Sequence, residues 1–245
     1  MATVFDKFPT LTDIPVEKFP KHIFIIPDGN GRWAHDRGLP ASMGHKKGYE
    51  AAEKILKLLS EIPSIHVVTM WGFSADNWKR SSQEVGFLMK LFEQVVKKAK
   101  KEFLKNNRRF VHLGRKDRIP GSLRTMIEET ETLTQENLGQ IFCLAVDFGG
   151  EDQIIRMLEK VQQTPTMVID TEVLWKLRDG HGVVPPADLL IRTSGEQRTS
   201  DVGWLNGAPT ELFFIKKPFP DLTIVDVIDA ILSFSKRERR MGARK

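Results

Sequence analysis

Along the chain, short unbroken apolar runs alternate with longer stretches whose apolar residues recur every three to four positions. The first run is His22-Ile23-Phe24-Ile25-Ile26. It is too short for a helix and lacks the polar alternation of a half-exposed strand, so it predicts a strand buried on both faces. Similar runs predict strands over 66–71, 110–113, 141–146, 188–192 and 211–215. Between them lie helical patterns. Tyr49, Ala52, Ile55, Leu56 and Leu59 share one face of a first helix. Leu88, Leu91, Phe92, Val95, Ala99 and Phe103 share one face of a longer one, whose other side carries Lys97, Lys98, Lys100, Lys101 and Lys105. Further helices are expected over 122–137, 151–162, 171–178 and 223–239.

Strands alternating with helices predict an α/β fold, a mostly parallel six-stranded sheet flanked by helices. No repeat, low-complexity tract or linker divides the chain. One domain over 19–245 is expected, preceded by a loose N-terminal arm over 1–18. In such sheets ligands bind beyond the carboxyl ends of the strands, and three polar stretches fall there: 28–33, 73–80 and 192–200.

Composition narrows the picture only slightly. The 245 residues carry a formal charge of +5, which suits an anionic partner such as a diphosphate, a nucleic acid or a membrane surface. Cys143, the one cysteine, sits in an apolar run and reads as a core residue, in keeping with a reducing compartment. No apolar run has the length of a membrane span or of a signal-peptide core, so a cytoplasmic protein is expected.

Asp28-Gly29-Asn30-Gly31-Arg32-Trp33-Ala34 follows a strand and opens a helix. Its glycines would let backbone N–H groups approach phosphate oxygens, and a helix start favours an anion. A tight turn without a ligand is the alternative. The stretch fits the dinucleotide pattern G-x-G-x-x-A, but the acidic residue that pattern needs is missing from the second strand: Glu50 falls in the preceding helix. A carboxylate beside a phosphate cradle is consistent with Mg²⁺ bridging the two; Asp28 could equally be a turn former. Ser74, Asn77 and Arg80 stand in a polar stretch around Trp78, and spacing alone favours a helix cap over a ligand site. Arg192, Arg198 and Ser200, with Thr193, Ser194 and Thr199 around Gly195, supply the forked donors and hydroxyls a diphosphate needs, unless the arginines form surface ion pairs. His45, at a helix start, reads first as structural.

Taken in order, these stretches resemble the cis-prenyltransferase, or undecaprenyl diphosphate synthase, family. The resemblance runs from about Lys21 to Gly242. It rests on 28–34, Gly44-His45, Phe73-Ser74 with 77–80, Gly149-Gly150, 188–196, Glu211-Leu212 and 237–240. No Asp-Asp pair of the kind found in trans-acting prenyltransferases is present. The resemblance implies a homodimer that joins isopentenyl diphosphate to an allylic diphosphate, using Mg²⁺. Asp28 would hold the metal, with Glu211 as a second metal-related carboxylate contributed by the partner subunit. Gly29, Asn30, Gly31, Arg32, Trp33, His45, Ser74 and Arg80 would serve the allylic diphosphate. Arg192, Arg198 and Ser200 would bind isopentenyl diphosphate, and Asn77 would assist proton removal. An apolar tunnel between sheet and helices would take the growing chain. No nucleic acid partner is expected, and a lipid product leaves room for peripheral membrane contact.

The chain also departs from the family pattern. Pro27 replaces the methionine before Asp28, Ala41 a diphosphate-binding arginine, and Pro209 a tyrosine; Asn-Tyr-Gly-Gly-Arg-x-Glu reads Asp147-Phe148-Gly149-Gly150-Glu151-Asp152-Gln153, and Leu-Ser-Asn-Phe reads Thr199-Ser200-Asp201-Val202. These departures keep open a short-chain or irregular, lavandulyl-type coupler. A non-catalytic synthase subunit is disfavoured by Asp28, and a nucleotide-binding oxidoreductase by the misplaced acid.

Overall fold

The computed structural model describes residues 3–164, 166–206 and 210–239. Among them are six strands: β1 (His22–Ile26), β2 (Val67–Ser74), β3 (Arg109–Leu113), β4 (Ile141–Phe148), β5 (Leu189–Arg192) and β6 (Glu211–Phe214). The α-helices are α1 (Val4–Lys7), α2 (Asn30–His35), α3 (Ala41–Ser60), α4 (Ser82–Lys105), α5 (Gly121–Thr134), α6 (Gly150–Gln162), α7 (Thr171–Leu177) and α8 (Ile224–Ser235). The strands form one sheet in the order β3-β4-β2-β1-β5-β6, and the pairs β1–β5, β5–β6 and β3–β4 are parallel.

The chain groups into two compact units. The first holds Met1–Val68, Pro186–Arg198 and Asn206–Lys245; the second holds Thr69–Pro185 and Thr199–Leu205. In the first, every residue of β1 and β5 is buried. Strands covered on both faces need no polar alternation, which is why these runs were readable. Ile55 and Leu59 of α3 and Val227, Ala230 and Ile231 of α8 complete its core. The N-terminal stretch is packed rather than loose. Thr3 and Asp6 form a reciprocal cap on α1, and Val4, Leu11 and Phe19 are buried in this unit.

In the second unit α4 packs on α5, and both approach β3. Phe103, Phe110 and Phe142 form an aromatic trio with centroids 5.8–6.4 Å apart. Cys143 is buried in β4, where burial pushes its thiol up to about 12, so it stays protonated as a small core residue. The buried positions of α4 include Met89 and Val96 where the sequence pattern pointed to Leu91 and Val95. Helix α8 ends at Ser235, short of the expected 239, and α5 ends at Thr134.

Candidate active site

β1 ends at Ile26, and the chain turns at once: the Asp28 N–H donates to the Ile26 carbonyl at 3.0 Å. Gly29 adopts φ 95°, a left-handed conformation that side chains rarely take. A Cβ there would also lie 2.5 Å from Ser194 Oγ, so shape and space both require glycine. At Gly31, by contrast, a Cβ would meet nothing within 4 Å. The protein itself does not need glycine at that point, but a ligand approaching the start of α2 would.

The Asp28 carboxylate lies at the centre of an arginine cluster. Its Oδ1 accepts the Gly29 N–H at 2.7 Å and Arg32 Nη2 at 3.3 Å, and its Oδ2 accepts Arg192 Nη2 at 2.9 Å. Arg192 also donates through Nη1 to the Arg198 carbonyl at 2.5 Å. Glu196 joins the other two arginines, pairing with Arg32 at 2.9 Å and with Arg198. Burial, the largest single influence on Asp28, pushes its carboxyl upward. The hydrogen bond and charge of Arg192, the Gly29 N–H and the charge of Arg32 together outweigh it and hold the group below its ordinary value.

The cluster thus sets three guanidinium groups against two carboxylates, a surplus of one positive charge. That surplus cannot neutralise a diphosphate alone. An ionised Asp28 has about four acceptor positions, of which three are used, so it can still hold a divalent cation. No group of three or more His, Cys, Asp or Glu able to hold a metal occurs among the described residues. These residues fit Mg²⁺ gripped by one carboxylate and completed by substrate phosphates, not caged by protein.

Glu211 stands apart from this cluster. The register pairs Ile26 with Arg192 and Arg192 with Phe214, whereas Glu211 pairs with Leu189. Glu211 therefore opens β6 at the sheet end opposite Asp28: it lies two strands across from β1 and about 10 Å, three residue steps, back along the strand direction from the level of Ile26, beyond which Asp28 follows. Within one chain the two carboxylates thus stand apart, as expected if Glu211 is a second metal-related carboxylate that serves a partner subunit. Glu211 instead takes Arg237 at 2.6 Å. Three other expected ligand residues have inward duties. Asn30 donates Nδ2 to the Pro27 carbonyl at 2.9 Å, and its Oδ1 is buried against Gly48 of α3. The Trp33 indole N–H donates to Asp221 at 2.7 Å under a stacked Arg37. His45 is buried on α3 beside Gly44, where a Cβ would meet the Asn30 carbonyl at 2.0 Å.

The remaining expected residues lie in the second unit. Ser74 and Asn77 lock each other: the Ser74 N–H donates to Asn77 Oδ1 at 3.0 Å, and Ser74 Oγ accepts the Asn77 N–H. Arg80 pairs with Glu84 at 2.9 Å. Ser200 adopts φ 52°, and its neighbour Asp201 accepts the Glu151 N–H at 3.0 Å, capping α6. The altered segment has its own partners. Asp152 accepts from Arg115 and Arg156, and Gln153 from the Asp179 N–H. Pro209 and the tail Arg240-Met241-Gly242 lie outside the described residues.

Sequence reasoning assigned no role to Glu196, Asp147 or Arg118. Glu196, set between arginines, offered a signal in its neighbours. Arg118 sits in a loop without any periodic or motif signal.

An α/β sheet with a glycine turn and a carboxylate paired with arginines at its carboxyl edge has the makings of a site for phosphorylated anions. The protein-family model described as "Putative undecaprenyl diphosphate synthase" matches residues 26–242. The chain belongs to this family, the cis-prenyltransferases. An isoprenyl transferase of Treponema denticola is 39% identical over 222 residues, covering 91% of this chain and 97% of that protein. The ditrans,polycis-undecaprenyl-diphosphate synthase ((2E,6E)-farnesyl-diphosphate specific) of Vibrio vulnificus is 37% identical over 233 residues, covering 92% of each. Among solved structures, lavandulyl diphosphate synthase from Lavandula x intermedia, in complex with dimethylallyl diphosphate, superposes with a TM-score of 0.86 at 33% identity. The match covers 93% of this chain and all of that one.

Proposed function

We propose that this chain is a Mg²⁺-dependent cis-prenyltransferase that condenses isopentenyl diphosphate with an allylic diphosphate, releasing diphosphate and giving a Z-polyprenyl diphosphate. The observation that carries the reading is Asp28, held ionised by Arg192, the Gly29 N–H and Arg32 at the carboxyl end of β1 and β5. The relatives' names supply the substrate class.

In this reading the Gly29 and Gly31 amides and Arg32 hold the allylic diphosphate, while Arg192, Arg198 and Ser200 hold isopentenyl diphosphate. Mg²⁺ bound at Asp28 would supply the positive charge that the leaving diphosphate needs. As the allylic C–O bond breaks, fixed guanidinium and N–H donors stabilise the developing negative charge without reorganising. The double bond of isopentenyl diphosphate attacks the allylic carbon as diphosphate departs, and a proton then passes from the condensed product to the released diphosphate or to water. Asn77 orients rather than accepts: its Oδ1 is taken by Ser74, and a neutral amide is no base. Arg80 adds charge, an apolar passage takes the growing chain, and Glu211 acts from a partner subunit.

Lavandulyl-type coupling is a second reading, favoured by the match to lavandulyl diphosphate synthase and by Ala41 in place of an arginine. Radiolabelled isopentenyl diphosphate, offered with farnesyl or dimethylallyl diphosphate, separates the two. Chain extension sized by chromatography supports the first reading. Consumption of dimethylallyl diphosphate without label incorporation supports the second, and no turnover with any pair overturns both.

A further inference from the structure

Asp147 stands near the end of β4 with φ 55°, a left-handed conformation that aspartate tolerates better than most residues. Its side chain has no solvent exposure. A buried carboxylate is costly unless paired and hydrogen-bonded, and this one accepts three side-chain hydrogen bonds. Arg118 grips it through two parallel bonds, Nε to Oδ2 at 2.8 Å and Nη2 to Oδ1 at 2.5 Å. The Trp78 indole N–H donates to Oδ1 at 2.8 Å. The Asp147 carbonyl also accepts the Arg115 N–H at 3.1 Å, so backbone and side chain are fixed together.

Trp78 is the anchor of the turn over 74–80. Its ring meets the edge of Phe73 at 5.1 Å, and Ala75 in the same turn faces Gly149, where a Cβ would lie 3.4 Å away. The turn carries Ser74, Asn77 and Arg80. An asparagine, the family's usual residue at 147, could accept the indole N–H without any counter-ion. Its amide group would, however, oppose the Arg118 fork with a second donor. The aspartate and the arginine therefore make sense only as a pair.

We propose that Asp147, clamped by Arg118, is a positioning residue that fixes the turn bearing Ser74, Asn77 and Arg80 through the Trp78 indole. The catalytic consequence rests on the prenyltransferase reading above; the clamp itself does not.

The test uses the full-length protein labelled with ¹⁵N-tryptophan, with the Trp78 indole resonance assigned by Trp78→Phe. Arg118→Leu leaves the carboxylate buried without its counter-ion. The expected result is a moved or broadened Trp78 resonance and a kcat lowered on the order of ten- to a hundredfold, with a smaller change in KM. Adding Asp147→Asn to Arg118→Leu is expected to restore both, because the neutral pair still accepts the indole. Should Arg118→Leu not fold, Asp147→Asn alone serves, since it sets two donors face to face and is expected to move the same resonance and lower kcat. An unmoved resonance in the folded single variant overturns the clamp. A moved resonance with unchanged kcat overturns the positioning role. Absence of turnover in the unsubstituted protein would sink the prenyltransferase reading and with it the catalytic role, while the resonance would still decide the clamp.

Discussion

At the scale of single residues, Asp28 and Arg192 depend on each other. The Arg192 side chain is only 5% exposed, and Asp28 is its carboxylate partner in the cluster. Asp28→Ala is therefore expected to stop turnover and also to lower stability by about 1–3 kcal/mol, since it strips a buried charge of its partner. Asp28→Asn keeps the shape and should lose turnover with a smaller loss of stability; urea melts and product assays read the two effects separately. The pH dependence has a definite sign. The folded Asp28 carboxyl lies below its ordinary 3.8, so its stabilisation is present above that value and fades as pH falls through the folded one. Arg192→Ala removes the strongest opposing influence but leaves the burial, so its acid loss should begin at higher pH than in the unsubstituted protein. Arg192→Ala and Arg198→Ala should each raise KM for isopentenyl diphosphate by roughly one to two decades, about 1.5–3 kcal/mol for a charge-assisted contact. Unchanged KM in both would remove the assignment.

His112 provides a second titration, away from the cluster. Burial lowers its imidazole from 6.5 to about 4 against the opposing pull of Glu131 and Asp179, while Lys116 adds to the lowering; the ring faces the Val146 carbonyl. The unfolded chain takes up this proton first. Stability is complete above about 6.5 and falls as pH drops toward 4, by up to about 3 kcal/mol. His112→Gln should flatten the melting curve across that interval. The contrast with Asp28 shows what was readable. Asp28 and Gly29 stood out because a strand followed by a glycine turn is a local pattern. Asp147 meets Trp78 and Arg118 across 69 and 29 residues of chain, and no local pattern spans such distances.

At the scale of elements, the doubly buried strands β1 and β5 were the most legible, because burial on both faces forces an unbroken apolar run. Boundaries were less so. β2 continues through Gly72, Phe73 and Ser74, past the point where glycine and serine weaken the apolar signal. The structure also gives Gly72 a packing role. A Cβ there would lie 2.7 Å from Phe92 Cε1 and 3.5 Å from the Ala145 carbonyl, so the glycine makes room for an α4 ring. Gly72→Leu would shorten the product if the glycine opened a passage for the growing chain. Its first effect should instead be overpacking against Phe92, worth about 1–3 kcal/mol. A lower urea midpoint in Gly72→Leu, recovered in Gly72→Leu/Phe92→Ala, is the expected outcome. An unchanged midpoint in the single variant would mean that Phe92 yields freely, and a shortened product would then follow from the added side chain alone.

At the scale of the whole molecule, the opposed ends of β1 and β6 set a requirement. Asp28 lies beyond the carboxyl end of β1, Glu211 opens β6, and β6 is the edge strand of the sheet among the described residues. If Glu211 serves the diphosphate site, it must do so in a second copy of the chain. The cationic stretch after α8 points the same way: Arg237 holds Glu211 and Arg239 holds Asp188, which bring the segment along the start of β5 and β6. A dimer is expected by light scattering at micromolar concentration, and deletion of 239–245 should abolish activity. A complementation experiment is more incisive. Asp28→Ala and Glu211→Ala should each be inactive as homodimers. When the two are unfolded and refolded together in equal amounts, half of the dimers pair one of each, and each such dimer rebuilds one intact site from Asp28 of one chain and Glu211 of the other. Recovery of roughly a quarter of the unsubstituted activity is expected for a two-fold assembly with shared sites. A mixture that stays inactive while forming mixed dimers would mean that Glu211 acts within its own chain or not at all, and the Glu211–Arg237 pair would then be a structural tie at the sheet edge.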